Sequence, residues 1–379
     1  MVASSSLTHR QNYVDIAKAF AIIAVVFGHI DFQYPDLKLL PIQTLFATLW
    51  HVPVFFMIGG FFLTEDKLIK PGQFIKGKIL KLYLPIMYIY IPAVLLHNVF
   101  MNIGFYSDSI EYGGKYVTYW NFKEYSINIL KSIFFAGREP VMGAMWFAFV
   151  LFLALCMMSL TYWASDKIIN KIQSSPTKGN STKLFAVLLL IGGVAGSILT
   201  NKFDFTIPRC SNVFTAAWLI FVGMMVRQKY DVKFDNPFCF VISFIVFYSF
   251  GVLRGGVSLN GNNFDDIASL TISTLSALYV ICFVARKLSG WISKLMALVG
   301  RDSFWIMGLH FIAFKICTIV LNCFGCKFDI AVLCPNCEGN ILLLIYYLLG
   351  GVLLPVVCVN LVRRIKSGLS RNDDAINSR

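Results

Sequence analysis

The stretch "DIAKAFAIIAVVFGHID", residues 15–31, decides the fold class because it carries three ionisable residues inside an otherwise apolar run. Asp15, Lys18 and His29 fall on one stripe of a helix, since each residue turns the helix by about 100°. Lipid tolerates such groups poorly, so the stripe must face a polar interior. The first helix is therefore predicted to belong to a bundle of membrane helices.

The composition also indicates a polytopic membrane protein. Hydrophobic residues make up 57% of the 379 residues and charged residues only 14%, whereas a soluble domain carries about 25% charged residues. The net charge of +13 would suggest nucleic-acid binding in a soluble protein. Here the basic residues are scattered between apolar runs, so we interpret them as topology signals and expect no nucleic-acid partner.

The predicted fold class is an all-α polytopic membrane protein, a bundle of about ten transmembrane helices. Ten apolar runs are long enough to cross about 30 Å of hydrocarbon. They cover residues 13–33, 43–63, 79–101, 144–164, 183–200, 209–227, 237–254, 266–285, 303–323 and 341–362. The stretch 122–142 mixes charged with apolar residues and is expected to form an interfacial helix instead.

The distribution of lysine and arginine predicts that both termini are cytoplasmic. In that orientation 22 of the 33 basic residues lie in cytoplasmic segments and 9 in outer segments, while Lys18 and Lys315 lie within spans. We expect cytoplasmic tails over 1–12 and 367–379 and a membrane domain over 13–366. The first run has no evident cleavage site, so we predict an uncleaved first span in a multi-pass protein of the plasma (inner) membrane.

The spacing on the first helix suits an elongated ligand. Lys18 and His29 are about 16 Å apart along the axis, at about 1.5 Å per residue. A cation near the cytoplasm and a deeper imidazole could bind the two ends of coenzyme A and its pantetheine arm. Asp15 is too far from His29 to orient it and is expected to pair with Lys18. The alternative is that His29 only hydrogen-bonds a neighbouring helix.

The second span, "LWHVPVFFMIGGFFL", contains a second histidine, His51. Counting residues places His51 and His29 at similar depths on adjacent helices, so the two could share one cavity. Pro53 would kink this helix, and Gly59 and Gly60 would allow close packing.

Five motifs in order resemble the integral-membrane acyltransferase 3 family. They are "YVDIAKAFAIIAVVFGH", "WHVPVFFMIGGFF", "KILKLYLPIMY", "GAMWFAFVLF" and "VGRDSFWIMGLHF". The resemblance implies an enzyme that transfers an acyl group, usually acetyl, from cytoplasmic acyl-CoA to a hydroxyl, commonly on an envelope carbohydrate. Acyl-CoA would be a donor substrate, with no permanently bound cofactor.

The resemblance also implies roles for three residues. His29 resembles the essential histidine of the family, Lys18 its basic partner and His51 its second-helix histidine. We expect His29 to act as general base, with a covalent acyl-histidine as an open alternative, and His51 to position the acceptor or stabilise the oxyanion. Lys18 stands where arginine is commoner, so phosphate would meet a point charge instead of a bidentate fork.

Other site residues are predicted from their positions. Lys78 and Lys81 would join Lys18 in holding coenzyme A phosphates, although lysines there are also ordinary cytoplasmic anchors. Trp146 could line the acyl tunnel or simply pack. Ser303 and His310 lie seven residues apart on one face of the ninth span and are expected in its inner half. Outside, Arg138 and Glu139 could meet a sugar, although a solvated pair is the expected arrangement.

The sequence "CFGCKFDIAVLCPNC" holds Cys323, Cys326, Cys334 and Cys337 in a predicted outer loop. Its spacing resembles a zinc ribbon. Disulfides are favoured outside the cytoplasm, so we expect one or two disulfides and assign no metal site.

The main alternative function is a transporter or flippase of a sugar or lipid, since buried charge in a ten-helix bundle suits that class too. Transporters often contain repeated halves, which this sequence lacks. A non-catalytic scaffold is disfavoured because it would not need ionisable groups on one buried stripe.

Overall fold

The computed structural model describes residues 2–32, 45–46, 50–112, 114–137, 139–173, 175, 177–203, 210–337 and 339–377. Within these ranges the chain is helical and has isolated β-bridges in place of strands. The α-helices are α1 Val2–Gly28, α2 His51–Gly60, α3 Glu65–Leu68, α4 Pro71–Lys78, α5 Leu84–Leu95, α6 His97–Asn102, α7 Phe122–Ile133, α8 Trp146–Ile172, α9 Lys178–Phe203, α10 Cys210–Met224, α11 Pro237–Leu253, α12 Ile267–Lys287, α13 Gly290–Arg301, α14 Ser303–Cys323 and α15 Ile341–Asn377.

The predicted all-α membrane bundle is confirmed. Six continuous helical segments in the described ranges are long and apolar enough to cross a membrane, and α2 and α11 are shorter apolar helices. The six are Pro71–Leu95, Pro140–Ile172, Lys178–Thr200, Ile267–Lys287, Ser303–Cys323 and Ile341–Ile365. The first of these joins α4 to α5 through a π-helical turn, and the second begins with a 3₁₀ segment before α8.

Each of the ten predicted apolar runs falls on a helix, but some boundaries differ. The second run was expected to begin near residue 43, whereas α2 begins at His51 and has ten residues; residues 33–44 and 47–49 lie outside the described ranges. The expected interfacial segment holds α7, whose start is fixed by a capping box between Asn121 and Glu124. The predicted boundaries of the two tails fall inside helices, since α1 begins at Val2 and α15 ends at Asn377. The helix ends therefore do not mark these boundaries, which stay predictions.

Glycine lets pairs of helices meet backbone to backbone. A Cβ on Gly223 of α10 would lie 1.9 Å from the Met57 carbonyl oxygen of α2, and one on Gly60 would lie 2.0 Å from the Ile220 carbonyl oxygen. In the middle of α1, a Cβ on Gly300 of α13 would lie 1.7 Å from the Asp15 carbonyl oxygen. These contacts fix the positions of α1 and α2, the two helices that carry the predicted catalytic histidines.

Lys315 of α14 fastens the outer loops to the bundle. Its side chain is 1% exposed, and four backbone carbonyl oxygens lie 2.6–2.9 Å from its ammonium, whose three N–H groups are shared among them. One carbonyl belongs to Phe105, in the loop after α6, and three belong to residues 330–332, in the loop before α15. A buried ammonium needs such acceptors, so these two loops are held together over the outer half of α14.

The predicted disulfides are not formed: Cys323, Cys326, Cys334 and Cys337 are all free thiols. In the described ranges, no three His, Cys, Asp or Glu side chains are placed to hold a metal ion, so a zinc ribbon is not formed either. Cys337 is buried because its backbone N–H bonds the Asp31 carbonyl, whereas Cys323 is exposed at the end of α14. Cys337 is held against Asp31 while Cys323 stays at the exposed end of α14, so cysteines that are close in sequence lie in different surroundings.

We predict that Gly223→Ala destabilises the protein by about 1–3 kcal/mol, because the new methyl would overlap the backbone of Met57. Gly77→Ala is the control, since a Cβ at this position of α4 meets nothing within 4 Å. The measurement is the thermal unfolding midpoint in detergent. A midpoint for Gly223→Ala equal to that of Gly77→Ala would show that the two helices can separate without loss.

We also predict a graded reactivity of the outer-loop thiols. Burial, together with the nearby Asp31 carboxylate, raises the pKa of Cys334 and Cys337 to about 11, so about a thousandth of each is thiolate at pH 8. A membrane-impermeant maleimide should label the exposed Cys323 first. Labelling of Cys337 should accelerate about tenfold per pH unit between pH 8 and 10, because the thiolate fraction rises with pH below the pKa. Peptide mass spectrometry gives both rates, and labelling that requires a reductant would contradict the thiol state.

Candidate active site

His29 and His310 form a hydrogen-bonded pair at the centre of the candidate site. Nδ1 of His29, just beyond the end of α1, lies 3.2 Å from Nε2 of His310 on α14. The two rings stack with centroids 5.0 Å apart, and the Phe311 ring meets His29 edge-on at 4.8 Å. His310 is fully buried. The sequence predicted both residues but not their contact across 281 positions.

Backbone chemistry determines which ring nitrogens of this pair carry hydrogen. The Ile306 carbonyl oxygen lies 2.9 Å from His310 Nδ1 and can only accept, so Nδ1 of His310 is the donor. In the neutral ring Nε2 of His310 is then an acceptor, and Nδ1 of His29 must donate to it. The lone pair of neutral His29 is left on Nε2, where it can take a proton.

The position of His310 corrects the depth estimated from the sequence. Residue counting put His310 in the inner half of its span and His29 near the outer surface, but the two touch. The count assumed that the first helix continues to residue 33, whereas α1 ends at Gly28. Beyond it Asp31 pairs with Pro335 and Cys337 of the outer loop held by Lys315, so His29 lies beneath that loop.

His51 is the third histidine of the site. It is the first residue of α2 and lies close enough to His29 for their charges to interact. Its Nδ1 is buried and has no hydrogen-bond partner among the described residues. A buried, unsatisfied ring nitrogen is costly in a protein interior, so it points to a group that arrives with a ligand. The shared cavity expected for His29 and His51 stays a prediction.

The middle of α1 carries the expected ion pair. Lys18 Nζ lies 3.0 Å from the Asp15 carboxylate, with each side chain roughly a quarter exposed. The Lys18 ammonium also lies 5.3 Å from the centre of the Phe62 ring. Lys67 donates to the Phe62 carbonyl oxygen at 2.9 Å, which brings a second lysine to the same place. In the sequence, Lys67 is only one of the 22 basic residues predicted to be cytoplasmic.

Lys78 and Lys81 extend this group of cations. The ammonium of Lys78 lies over the Phe74 ring at 5.0 Å and is close enough to Lys67 and Lys81 to interact with their charges. None of Lys67, Lys78 and Lys81 forms an ion pair with a described carboxylate. The nearby Asp66 instead pairs with Lys178. We call Lys18, Lys67, Lys78 and Lys81 the inner lysine cluster.

Two predicted residues begin helices that surround the histidine pair. Ser303 is the first residue of α14, about 10 Å from His310 along the helix axis at about 1.5 Å per residue. Trp146 is the first residue of α8 and directly follows the 3₁₀ segment Pro140–Met145, which packs on α14. The structure therefore brings His29, His310 and His51 together and leaves Ser303 and Trp146 in the surrounding helices.

Glu139 is buried instead of solvated, contrary to expectation. It is 1% exposed and accepts a hydrogen bond from the Tyr106 hydroxyl at 2.5 Å. Its other carboxylate oxygen lies 3.0 Å from His97 Nδ1, and Arg138 lies outside the described residues. Short polar motifs would not reveal this pair, because His97 is 42 positions away and its role depends on the fold.

One of three comparisons with known proteins identifies the family of this chain. The profile of the family described as "Acyltransferase domain", the acyltransferase 3 family, matches residues 11–360. Comparison with curated proteins and with solved structures gave no significant match. The match covers nearly the whole helical bundle, including both ends of the His29–His310 contact. This chain therefore belongs to the acyltransferase 3 family and is a membrane acyltransferase.

Proposed function

We propose that this protein transfers an acyl group, most simply acetyl, from cytoplasmic acyl-CoA to a hydroxyl of an envelope polysaccharide or lipid-linked sugar. His29 is the general base and His310 is its positioning residue. The observation that carries the proposal is the His29–His310 hydrogen bond, because it directs the free lone pair of neutral His29 to Nε2. A base with a fixed tautomer is what acyl transfer to an alcohol requires.

The donor enters from the cytoplasmic side in this proposal. The inner lysine cluster offers four ammonium groups to the phosphates of coenzyme A, and Asp15 offsets only one of them. The pantetheine arm extends along α1 and carries the thioester to His29, about 16 Å above Lys18 at about 1.5 Å per residue. Phe62 is half exposed beside Lys18 and offers an apolar surface to the adenine ring.

The chemical step then follows from the histidines. Nε2 of His29 takes the proton of the acceptor hydroxyl, and the hydroxyl oxygen attacks the thioester carbonyl carbon. The carbonyl oxygen becomes an oxyanion, and an N–H of His51 stabilises it. The intermediate collapses, the carbon–sulfur bond breaks, and the thiolate of coenzyme A takes the proton back from His29. The products are an ester and free coenzyme A, so His29 ends neutral and ready for the next cycle.

We predict that His29→Ala lowers kcat by roughly 10²–10⁴-fold, the usual effect of losing a general base. His310→Phe should lower kcat by about tenfold or more with little change in KM for acyl-CoA. The variant keeps an aromatic ring at position 310 but loses the nitrogen that accepts from His29 and fixes its tautomer. The measurement is steady-state acyl transfer by the protein in nanodiscs.

His310→Gln is the matched control. A glutamine side chain can accept from His29 Nδ1 through its amide oxygen and should recover part of the activity lost in His310→Phe. If Phe and Gln variants of equal stability have equal kcat, His310 acts only in packing. If His29→Ala keeps more than about a tenth of the activity, His29 is not the base.

We predict that Lys67→Ala raises KM for acyl-CoA by about three- to tenfold, since loss of one partly solvated charge contact costs on the order of 1 kcal/mol. Its kcat should change little, because a phosphate contact far from the reacting atoms acts in the ground state and transition state alike. Lys76→Ala is the control, since Lys76 is exposed on α4 and outside the cluster. Equal KM values for the two variants would remove Lys67 from the donor site.

A double variant separates binding by Lys18 from simple charge balance. Lys18→Ala alone should raise KM for acyl-CoA, and Lys18→Arg should keep substantial activity because the charge remains. If Lys18 serves only to balance Asp15, the change of both residues to alanine should restore acyl-CoA affinity, since no unpaired buried charge is left. Such a recovery would contradict a phosphate role for Lys18.

A further inference from the structure

A cavity of about 860 Å³ lies on the outer side of the protein, between the segment 97–140, the start of α10 and the loop before α12. We call it the outer pocket. All of these segments are extracytoplasmic in the orientation predicted by the lysine and arginine distribution. The volume is within the range of sites that enclose a small-molecule ligand. None of the residues proposed for acyl-CoA lines it.

An aromatic ring on a rigid support forms part of the wall. Trp120 stacks flat on His97, with ring centroids 3.6 Å apart and planes within 5°. His97 is held on both sides, since Nε2 donates to the Thr118 carbonyl oxygen at 3.0 Å and Nδ1 meets Glu139 at 3.0 Å. The orientation of Trp120 is thereby fixed. A flat, rigid indole ring is a surface on which the apolar face of a sugar ring can rest.

The pocket carries positive charge that the protein does not balance. Lys115 and Lys131 line it, and neither forms an ion pair with a described carboxylate. Glu124 also lines it, but one of its oxygens accepts from the Asn121 backbone N–H. The carboxylate of Glu139 is taken up by His97 and Tyr106. Two lysines and one glutamate leave the lining with a net positive charge, and an anionic group is the natural counterpart of that charge.

A buried amide supplies the independent sign of a ligand. Asn212, at the start of α10, is 5% exposed and lines the pocket. Its Oδ1 is buried without a hydrogen-bond partner, while its Nδ2 lies 3.5 Å from the carbonyl oxygens of Leu259 and Asn260. A buried acceptor without a donor is rare in native proteins. A hydroxyl that enters the pocket would satisfy it.

The outer pocket approaches the histidine pair through two aromatic side chains. Tyr112 lines the pocket and lies against Gly143, where its hydroxyl is 2.5 Å from the position of a Cβ. Phe311 lies 3.6 Å from the same position, and its ring packs on His29 at 4.8 Å. Two aromatic side chains in contact with Gly143 thus lie between the pocket and His29.

We propose that the outer pocket binds the acceptor, a saccharide unit that carries an anionic group, either carboxylate or phosphate. Trp120 supports a face of the sugar ring, Asn212 Oδ1 accepts from a hydroxyl, and Lys115 and Lys131 hold the anion. The role of the bound sugar as acceptor rests on the proposed function, whereas the binding itself does not.

The test is calorimetric binding to the full chain in nanodiscs without acyl-CoA. The probes are a disaccharide containing a uronic acid, the matched neutral disaccharide, and the sugar phosphate of the same hexose. We expect at least one anionic probe to bind about tenfold or more tightly than the neutral one, and the stronger of the two identifies the anion. Equal binding of all three, or binding of none, overturns the proposal.

Variants locate the binding. Lys131→Gln should weaken the anionic probe about tenfold and leave the neutral one unchanged. Lys123→Gln, on the same helix but outside the pocket, should leave both unchanged. Asn212→Leu should weaken all probes, because the hydroxyl acceptor is lost. If Lys131→Gln and Lys123→Gln bind the anionic probe equally, the anion is held elsewhere and the proposal fails.

Binding by the pocket variants and acyl transfer by His29→Ala together distinguish failure of this proposal from failure of the proposed function. If the pocket variants bind as the wild type does while His29→Ala abolishes acyl transfer, the outer pocket fails and the acyltransferase mechanism stands. If the pocket binds as expected but His29→Ala transfers acyl groups normally, the saccharide site stands and the assignment of the base fails.

Discussion

The hydrogen bonds of the Lys315 ammonium are the interaction on which the outer half of this protein depends. A charged amine within an apolar span is tolerated only when acceptors replace its water, and here four backbone carbonyl oxygens do so. Those carbonyls belong to two loops far apart in sequence. The hydrogen bonds of one buried ammonium therefore hold both loops over α14, at a position five residues beyond His310.

The same two loops also hold segments next to the candidate site. One of the two loops pairs with Asp31 on either side, through Pro335 and Cys337, and this holds the chain just after His29. The other loop continues into Tyr106, which bonds Glu139. These backbone contacts hold both the segment just after His29 and the segment that leads to Tyr106.

Much of the fold could be predicted from the sequence, because hydrocarbon imposes a long apolar run on every span. The ionisable stripe of the first helix pointed to His29, which the structure places in contact with a second histidine. The contact of His29 with His310 could not be predicted, since it joins residues 281 apart and depends on where α1 ends. Lys67 and His97 were missed for a related reason: one acts through a loop carbonyl and the other through a carboxylate 42 positions away, and neither leaves a periodic pattern.

The His29–His310 contact also has a consequence for biosynthesis. The first helix enters the membrane early, whereas α14 emerges 281 residues later, about 15–60 s at about 5–20 residues per second. Until then His29 has no partner to fix its tautomer, and Lys315 has not yet gathered the outer loops. In the proposed mechanism, a nascent chain can bind its donor at the inner lysine cluster and still lack an oriented base, so it is inactive until α14 is in place. If His29 and His310 act as proposed, catalytic competence is a property of the nearly finished chain, and premature termination before α14 yields a membrane protein without a working active site.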